Sequence, residues 1–101
     1  MNANDMTFGV EIETVAPQSA VENDGLRIGG YHRGTQVPYL PAGWKAERDA
    51  SIRAPHAYHA CEIVSPVLRG REGLAQVAEA VRVLEAKGHR VNVSCGIHVH
   101  V

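Results

Sequence analysis

Residues 7–14 read Thr7-Phe8-Gly9-Val10-Glu11-Ile12-Glu13-Thr14, and their alternation decides the fold. Successive side chains of an extended chain point to opposite faces, so Phe8, Val10 and Ile12 share one side and Gly9, Glu11 and Glu13 the other. The period predicts a strand with an apolar face for a core and a face bearing two carboxylates. The last residues repeat the pattern. From Val91 to Val101, Val91, Val93, Cys95, Ile97, Val99 and Val101 face one way, and Asn92, Ser94, Gly96, His98 and His100 the other.

Two further strands are expected between these ends. Trp44 to Ser51 places Trp44, Ala46, Arg48 and Ala50 on one side, against Lys45, Glu47, Asp49 and Ser51. His59 to Ser65 forms the third strand of the series and stops at Pro66, which has no N–H for a ladder. In it Glu62 is a lone carboxylate between Ala60 and Val64, an expensive position if buried unless paired or bound to a metal.

One helix is predicted, over Glu72 to Lys87. Leu74, Val77, Val81 and Leu84 recur at intervals of three and four, while Glu72, Gln76, Glu79, Arg82 and Glu85 cover the opposite side. Lys87 and Gly88 provide a favourable last-turn charge and a left-handed stop. From Ala16 to Gly43 periodicity is lost among Gly25, Gly29, Gly30, Gly34, Pro17, Pro38 and Pro41, which predicts a long loop of functional or mobile character. Leu26-Arg27-Ile28 could add a short strand, and Tyr31, His32 and Tyr39 could contact a ligand. The expected class is α+β, a mainly antiparallel sheet with one helix packed on its apolar face.

The chain has 101 residues, enough for one small domain, and a formal net charge of −1. That charge gives no reason to expect a nucleic acid or an anionic membrane as partner. No apolar run approaches the ~20 residues of a membrane helix, and the first residues lack the basic and apolar segments of a secretory signal. A cytoplasmic protein is expected, in which Cys61 and Cys95 are reduced thiols half-buried in strands.

Chemistry concentrates on the polar face. Residues i and i+2 of a strand are roughly 6.5–7 Å apart at Cα, so Glu11/Glu13 and His98/His100 suit two ions, or an ion and a nucleotide, better than one shared ion. Carboxylates favour magnesium or manganese, and imidazole shifts preference toward manganese or zinc. Glu-x-Glu alone is ordinary on a solvated sheet face. The combination with His98, His100, Glu62 and the space beside Gly96 is what points to a metal cradle.

Four motifs carry a resemblance: Phe8-Gly-Val-Glu-Ile-Glu13, Trp44 with Asp49-Ala-Ser51, Glu62-Ile-Val-Ser-Pro66, and Cys95-Gly-Ile-His-Val-His-Val101. In this order they resemble the amidoligase family, carboxylate–amine ligases of the glutamine synthetase-like superfamily. The closing motif is similar to the Gly-x-His-x-His strand of glutamine synthetases. The resemblance implies a partial glutamine synthetase-like catalytic domain that forms an amide from a carboxylate and an amine. ATP would be the co-substrate, Mg2+ or Mn2+ the metal, and an acyl phosphate the intermediate. It assigns Glu11, Glu13, Glu62 and His98 as metal ligands, with Glu62 and Asp49 in catalysis. His100 and Ser51 fall on the nucleotide side.

Family members extend beyond this strand, so residues 1–101 are expected to be the N-terminal part of a longer catalytic domain. The isolated chain would then be a weak metal binder with little activity. Expected partners are a small-molecule or peptide carboxylate, an amine, the remaining half of the domain, and a second copy in a homo-oligomer. Two alternatives use the same face. A non-catalytic metal-binding module predicts stoichiometric zinc or manganese lost in His98→Ala. A structural remnant docking on a missing domain predicts concentration-dependent self-association.

Overall fold

A computed structural model describes residues 6–30, 32–49, 53–90 and 97–100, the last four as backbone. Eight elements follow in chain order. They are β1 (Thr7–Pro17), α1 (Gln18–Glu22), β2 (Thr35–Gln36), β3 (Lys45–Glu47), β4 (Tyr58–Val64), β5 (Leu68–Arg69), α2 (Gly70–Ala86) and β6 (Ile97–His100). The strands form one sheet in which β2, β3, β4 and β1 are successive neighbours and β5 and β6 both pair with β1. Every strand pairing in it is antiparallel. The fold is therefore α+β, as the alternation of residues 7–14 predicts.

β1 is the axis of the sheet, and its two edges are set by residue parity. The Ser65 N–H donates to the Val10 carbonyl and the Gly70 N–H to the Met6 carbonyl, both at 2.9 Å, so even-numbered residues bond toward β4 and β5. Val15 exchanges both backbone hydrogen bonds with Arg90, at 2.9 and 3.1 Å, so odd-numbered residues bond toward the opposite edge. That edge also carries β6, which runs from Ile97 opposite Ile12 to His100 opposite Gly9.

The apolar face holds the core. Val10, Ile12 and Ala16 of β1, Ala46 of β3, and Cys61 and Ile63 of β4 are buried with Ala80 and Leu84 of α2. Cys61 is fully buried, not half-buried as its strand position suggests. The second cysteine, Cys95, lies outside the described residues, as does residues 91–96 of the last predicted strand.

α2 begins two residues earlier than its apolar spacing predicts, because β5 feeds it directly at Gly70. Its inward stripe is also rotated. Gly73, Ala80 and Leu84 are buried, and Val77, Val81 and Val83 pack against the core, whereas Leu74 is 62 % exposed. Gly73 is the reason: a Cβ there would stand 2.8 Å from Leu68 Cβ and 3.0 Å from the Phe8 ring. The helix approaches the sheet through this glycine, which turns Leu74 outward. Gly73→Val should cost about 1–3 kcal/mol of stability by overpacking, read as a lowered midpoint in urea unfolding; an unchanged midpoint would show that the helix can lift away freely. At the other end Gly88, at φ +88°, provides the left-handed stop expected after Lys87.

Residues 16–43 are more ordered than their composition predicts. They contain α1 and β2, so the described residues form two helices where one is expected, and Leu26, Val37 and Leu40 are buried. Leu26-Arg27-Ile28 forms no strand; the edge contact is made one residue later, by Gly29 beside Glu47. The Gly29 N–H donates to the Ala46 carbonyl at 3.0 Å and the Arg48 N–H to the Gly29 carbonyl at 2.9 Å. Among the described residues no helix is long and apolar enough to cross a membrane.

Candidate functional site

The face of the sheet away from the core collects acid. Glu11 and Glu13 lie half-buried on β1, Glu62 on β4, Glu47 on β3 and Asp49 just beyond it. Strand register decides which of them meet. Glu13 lies opposite Glu62, and Glu62 lies opposite Glu47, so three glutamates stand side by side across three strands. Adjacent strands are only about 4.7–4.9 Å apart, and like charges directly opposite each other are destabilising. The neighbouring row runs Lys45, Val64, Glu11, His98.

Glu62 shows the consequence. Burial first, then a hydrogen bond with Glu11, the Glu11 charge, and the charges of Asp49 and Glu47 push its carboxyl up to about 8. Within the polar face it is thus the group that most needs a compensating cation or a proton. It is not the isolated carboxylate that its apolar sequence neighbours predict: its neighbours along the strand are apolar, but those across the strands are acidic.

Of the candidate residues, Glu11, Glu13 and Glu62 are brought together, and Asp49 lies near enough for its charge to act on Glu62. The register places the backbone of His98 beside Glu11 and that of His100 beside Gly9. Ser51 and Gly96 lie outside the described residues, as do Tyr31 and Ala50. Among the described residues, no three acidic, imidazole or thiol groups converge closely enough to enclose one ion. The donor chemistry of the row nevertheless fits a hard divalent cation, since oxygen ligands of this kind suit magnesium or manganese.

Glu47 is the residue that sequence reading passed over. Its parity with Lys45 and Asp49 places it on the acidic face, but only the β3–β4 register sets it opposite Glu62.

The opposite face holds a second polar group. Thr14 Oγ1 is 3.0 Å from His89 Nδ1 and 3.4 Å from Cys61 Sγ, and the Tyr39 hydroxyl is 2.6 Å from His89 Nε2. Burial lowers His89 to about 4, and it raises the Tyr39 phenol above its usual range with help from the Cys61 and Asp24 charges. Lys87 pairs with Asp24 at 3.3 Å and sits 5.7 Å from the Tyr39 ring centre. Tyr39, a candidate ligand contact by sequence, instead ties the loop to the end of α2. Beside these hydrogen bonds, Ile12, Thr14, Val81, Leu84 and His89, with Glu85 and Arg90, line a mainly apolar cavity of about 400 Å³. The signal in the sequence was Thr14 itself, a hydroxyl at an even-numbered, core-facing position of β1.

Comparison with known proteins finds one family. A family model described as "Putative amidoligase enzyme" matches residues 4–101, nearly the whole chain. Neither a curated protein nor a solved structure matches it.

Proposed function

The chain belongs to the amidoligase family, and from that premise we propose that its acidic face is the metal-binding half of the active site of an ATP-dependent carboxylate–amine ligase. The observation that carries this reading is the row Glu13–Glu62–Glu47 with Glu11 bonded to its centre. Packing these carboxylates together is unfavourable without a cation, and a ligase that binds ATP requires one.

Glu11, Glu13 and Glu62, with His98 beside Glu11, are the residues to hold Mg2+ or Mn2+ in a domain related to that of glutamine synthetases. A bound ion would neutralise phosphate oxygens during transfer. In the reaction an oxygen of the substrate carboxylate takes the γ-phosphoryl group and ADP leaves. The amine nitrogen then attacks the acyl carbon, phosphate departs with the bonding pair, and the nitrogen loses a proton. On this reading Asp49 would receive that proton, and His100 and Ser51 would serve the nucleotide, as the family resemblance implies.

Titration calorimetry of the chain with Mn2+ at pH 8 tests the first half of this. Glu62→Gln should weaken binding at least tenfold, because it removes a ligand from the centre of the row. Equal affinity in wild type and variant would remove Glu62 from the metal site. ADP release dependent on a carboxylate and an amine separates a ligase from a module that only binds metal.

A further inference from the structure

The cavity beside the Thr14–His89 hydrogen bond has no part in the ligase reaction. It lies between β1 and the last turns of α2, with Ile12 and Thr14 on its sheet side and Leu84 and His89 on its helix side. These four residues are only 2–4 % exposed. Val81 is half-buried, and Glu85 and Arg90 are exposed, so the opening lies on their side. Ile12 and Thr14 alternate with Glu11 and Glu13 along the strand, which puts this space on the reverse of the sheet from the acidic row. At about 400 Å³ it has the size of a small-molecule site, a class that spans roughly 300–1,000 Å³.

Its walls are apolar apart from one hydrogen-bonding position. Burial keeps the His89 imidazole neutral down to about pH 4, so one ring nitrogen carries a proton and the other a lone pair. The Tyr39 hydroxyl faces Nε2 at 2.6 Å, and Thr14 Oγ1 faces Nδ1 at 3.0 Å. With the proton on Nε2, the Thr14 hydroxyl donates to Nδ1, and the Cys61 thiol, 3.4 Å away, donates to one of its two lone pairs. With the proton on Nδ1, that N–H fills one lone pair and the Thr14 hydroxyl hydrogen turns to Cys61. Either way, one lone pair of Thr14 Oγ1 is left over at the cavity wall. It can accept a donor from a guest.

Charge is not provided for. Glu85 at the opening repels an anion, and the Arg90 guanidinium is taken up by the Tyr58 ring, 4.0 Å from its centre. An ion inside would lose its hydration with no opposite charge beside it in return. We propose that this cavity binds a small neutral alcohol, its hydrocarbon body against Ile12, Val81 and Leu84 and its hydroxyl donating to Thr14 Oγ1. A dry apolar cavity of about 150 Å³ already takes benzene, so an aromatic alcohol fits by volume. Neither the metal nor the ligase reaction enters into this site, and it stands whatever the acidic face does.

Benzyl alcohol, toluene and benzoate are the probes, titrated into the full chain and followed by the methyl NMR signals of Ile12, Val81 and Leu84. Benzyl alcohol should shift these signals saturably. It should bind several-fold more tightly than toluene, the factor for one net hydrogen bond, and at least tenfold more tightly than benzoate. Thr14→Ser should keep the preference for the alcohol over toluene, and Thr14→Val should remove it while toluene still binds. Val81→Phe, which fills the opening, should abolish binding of both with the circular dichroism unchanged. No saturable shift in wild type would overturn the site and mean that another part of the chain or a second copy fills the space. Shifts that persist in Val81→Phe would place the probes elsewhere and sink it equally. Benzoate or toluene bound by wild type as tightly as the alcohol would overturn the ligand class.

Discussion

Trp44→Ala is expected to lower the free energy of unfolding by about 3–5 kcal/mol, the range for deleting a large buried aromatic side chain. Trp44 heads the fully buried side chains of the domain. It follows directly on the loop of residues 23–43, and the Val37 N–H donates to its carbonyl at 2.9 Å. Its indole N–H donates to Gln76 Oε1 of α2 at 2.5 Å, so one residue joins the loop, the start of β3 and the helix. In the sequence Trp44 stands in a motif with Asp49 and Ser51, to which the family resemblance gives catalytic and nucleotide-side roles. Its complete burial on the core side of β3 assigns it to packing. Trp44→Phe separates the two contributions: it keeps most of the apolar contact and loses the hydrogen bond, at a net cost of about 1 kcal/mol for that bond. Urea unfolding of the three proteins gives the ranking. A loss below about 1 kcal/mol in Trp44→Ala would mean that the loop packs without its anchor.

The strands were legible because period-2 alternation is strong wherever one face is buried and the other solvated. β1, β4 and the direction of each of their side chains follow from residues 7–14 and 59–65. The acidic site was legible in part for the same reason, since parity alone places Glu11, Glu13, Glu62 and Glu47 on one face. Parity says nothing of register, however, and only register sets Glu62 between Glu13 and Glu47. The loop misled because its glycines and prolines mask single anchors: Leu26, Val37 and Leu40 are spaced without a period, so no window of sequence marks them as core. The outward turn of Leu74 was hidden for a related reason. It depends on the close approach of Gly73 to Phe8, a contact between residues 65 apart in the chain.

Those two polar groups, one on each face, should give the domain a stability profile with opposing slopes. His89 takes a proton near pH 6.5 when unfolded but refuses it until about pH 4 when folded. The unfolded chain therefore binds more protons in this window, and stability falls as pH drops from 6.5 toward 4. A shift of that size corresponds to about 3 kcal/mol at most. Glu62 works the other way. Folded, it keeps its proton up to about pH 8, whereas unfolded it gives it up near 4.5, so stability falls as pH rises through that window. Because this side chain is partly solvated, its contribution is smaller than the width of that window alone would give.

Between pH 4.5 and 6.5 the slopes oppose each other, and wild type should be nearly flat there before losing stability from pH 6.5 to 8. Glu62→Gln should abolish the decline above pH 6.5 and expose the rise below it, while His89→Asn should show the decline alone from pH 4.5 upward. Melting temperatures of the three proteins across this range are the measurement, and a decline above pH 6.5 that survives in Glu62→Gln would contradict the acidic-row account. Divalent cation connects the profile to function. Near pH 8 folded Glu62 begins to give up its proton and the row takes on repulsion, and an ion that binds only the folded state stabilises in proportion to the logarithm of its excess over Kd. Saturating Mg2+ should therefore restore at pH 8 the stability that wild type loses, and should do nothing comparable for Glu62→Gln.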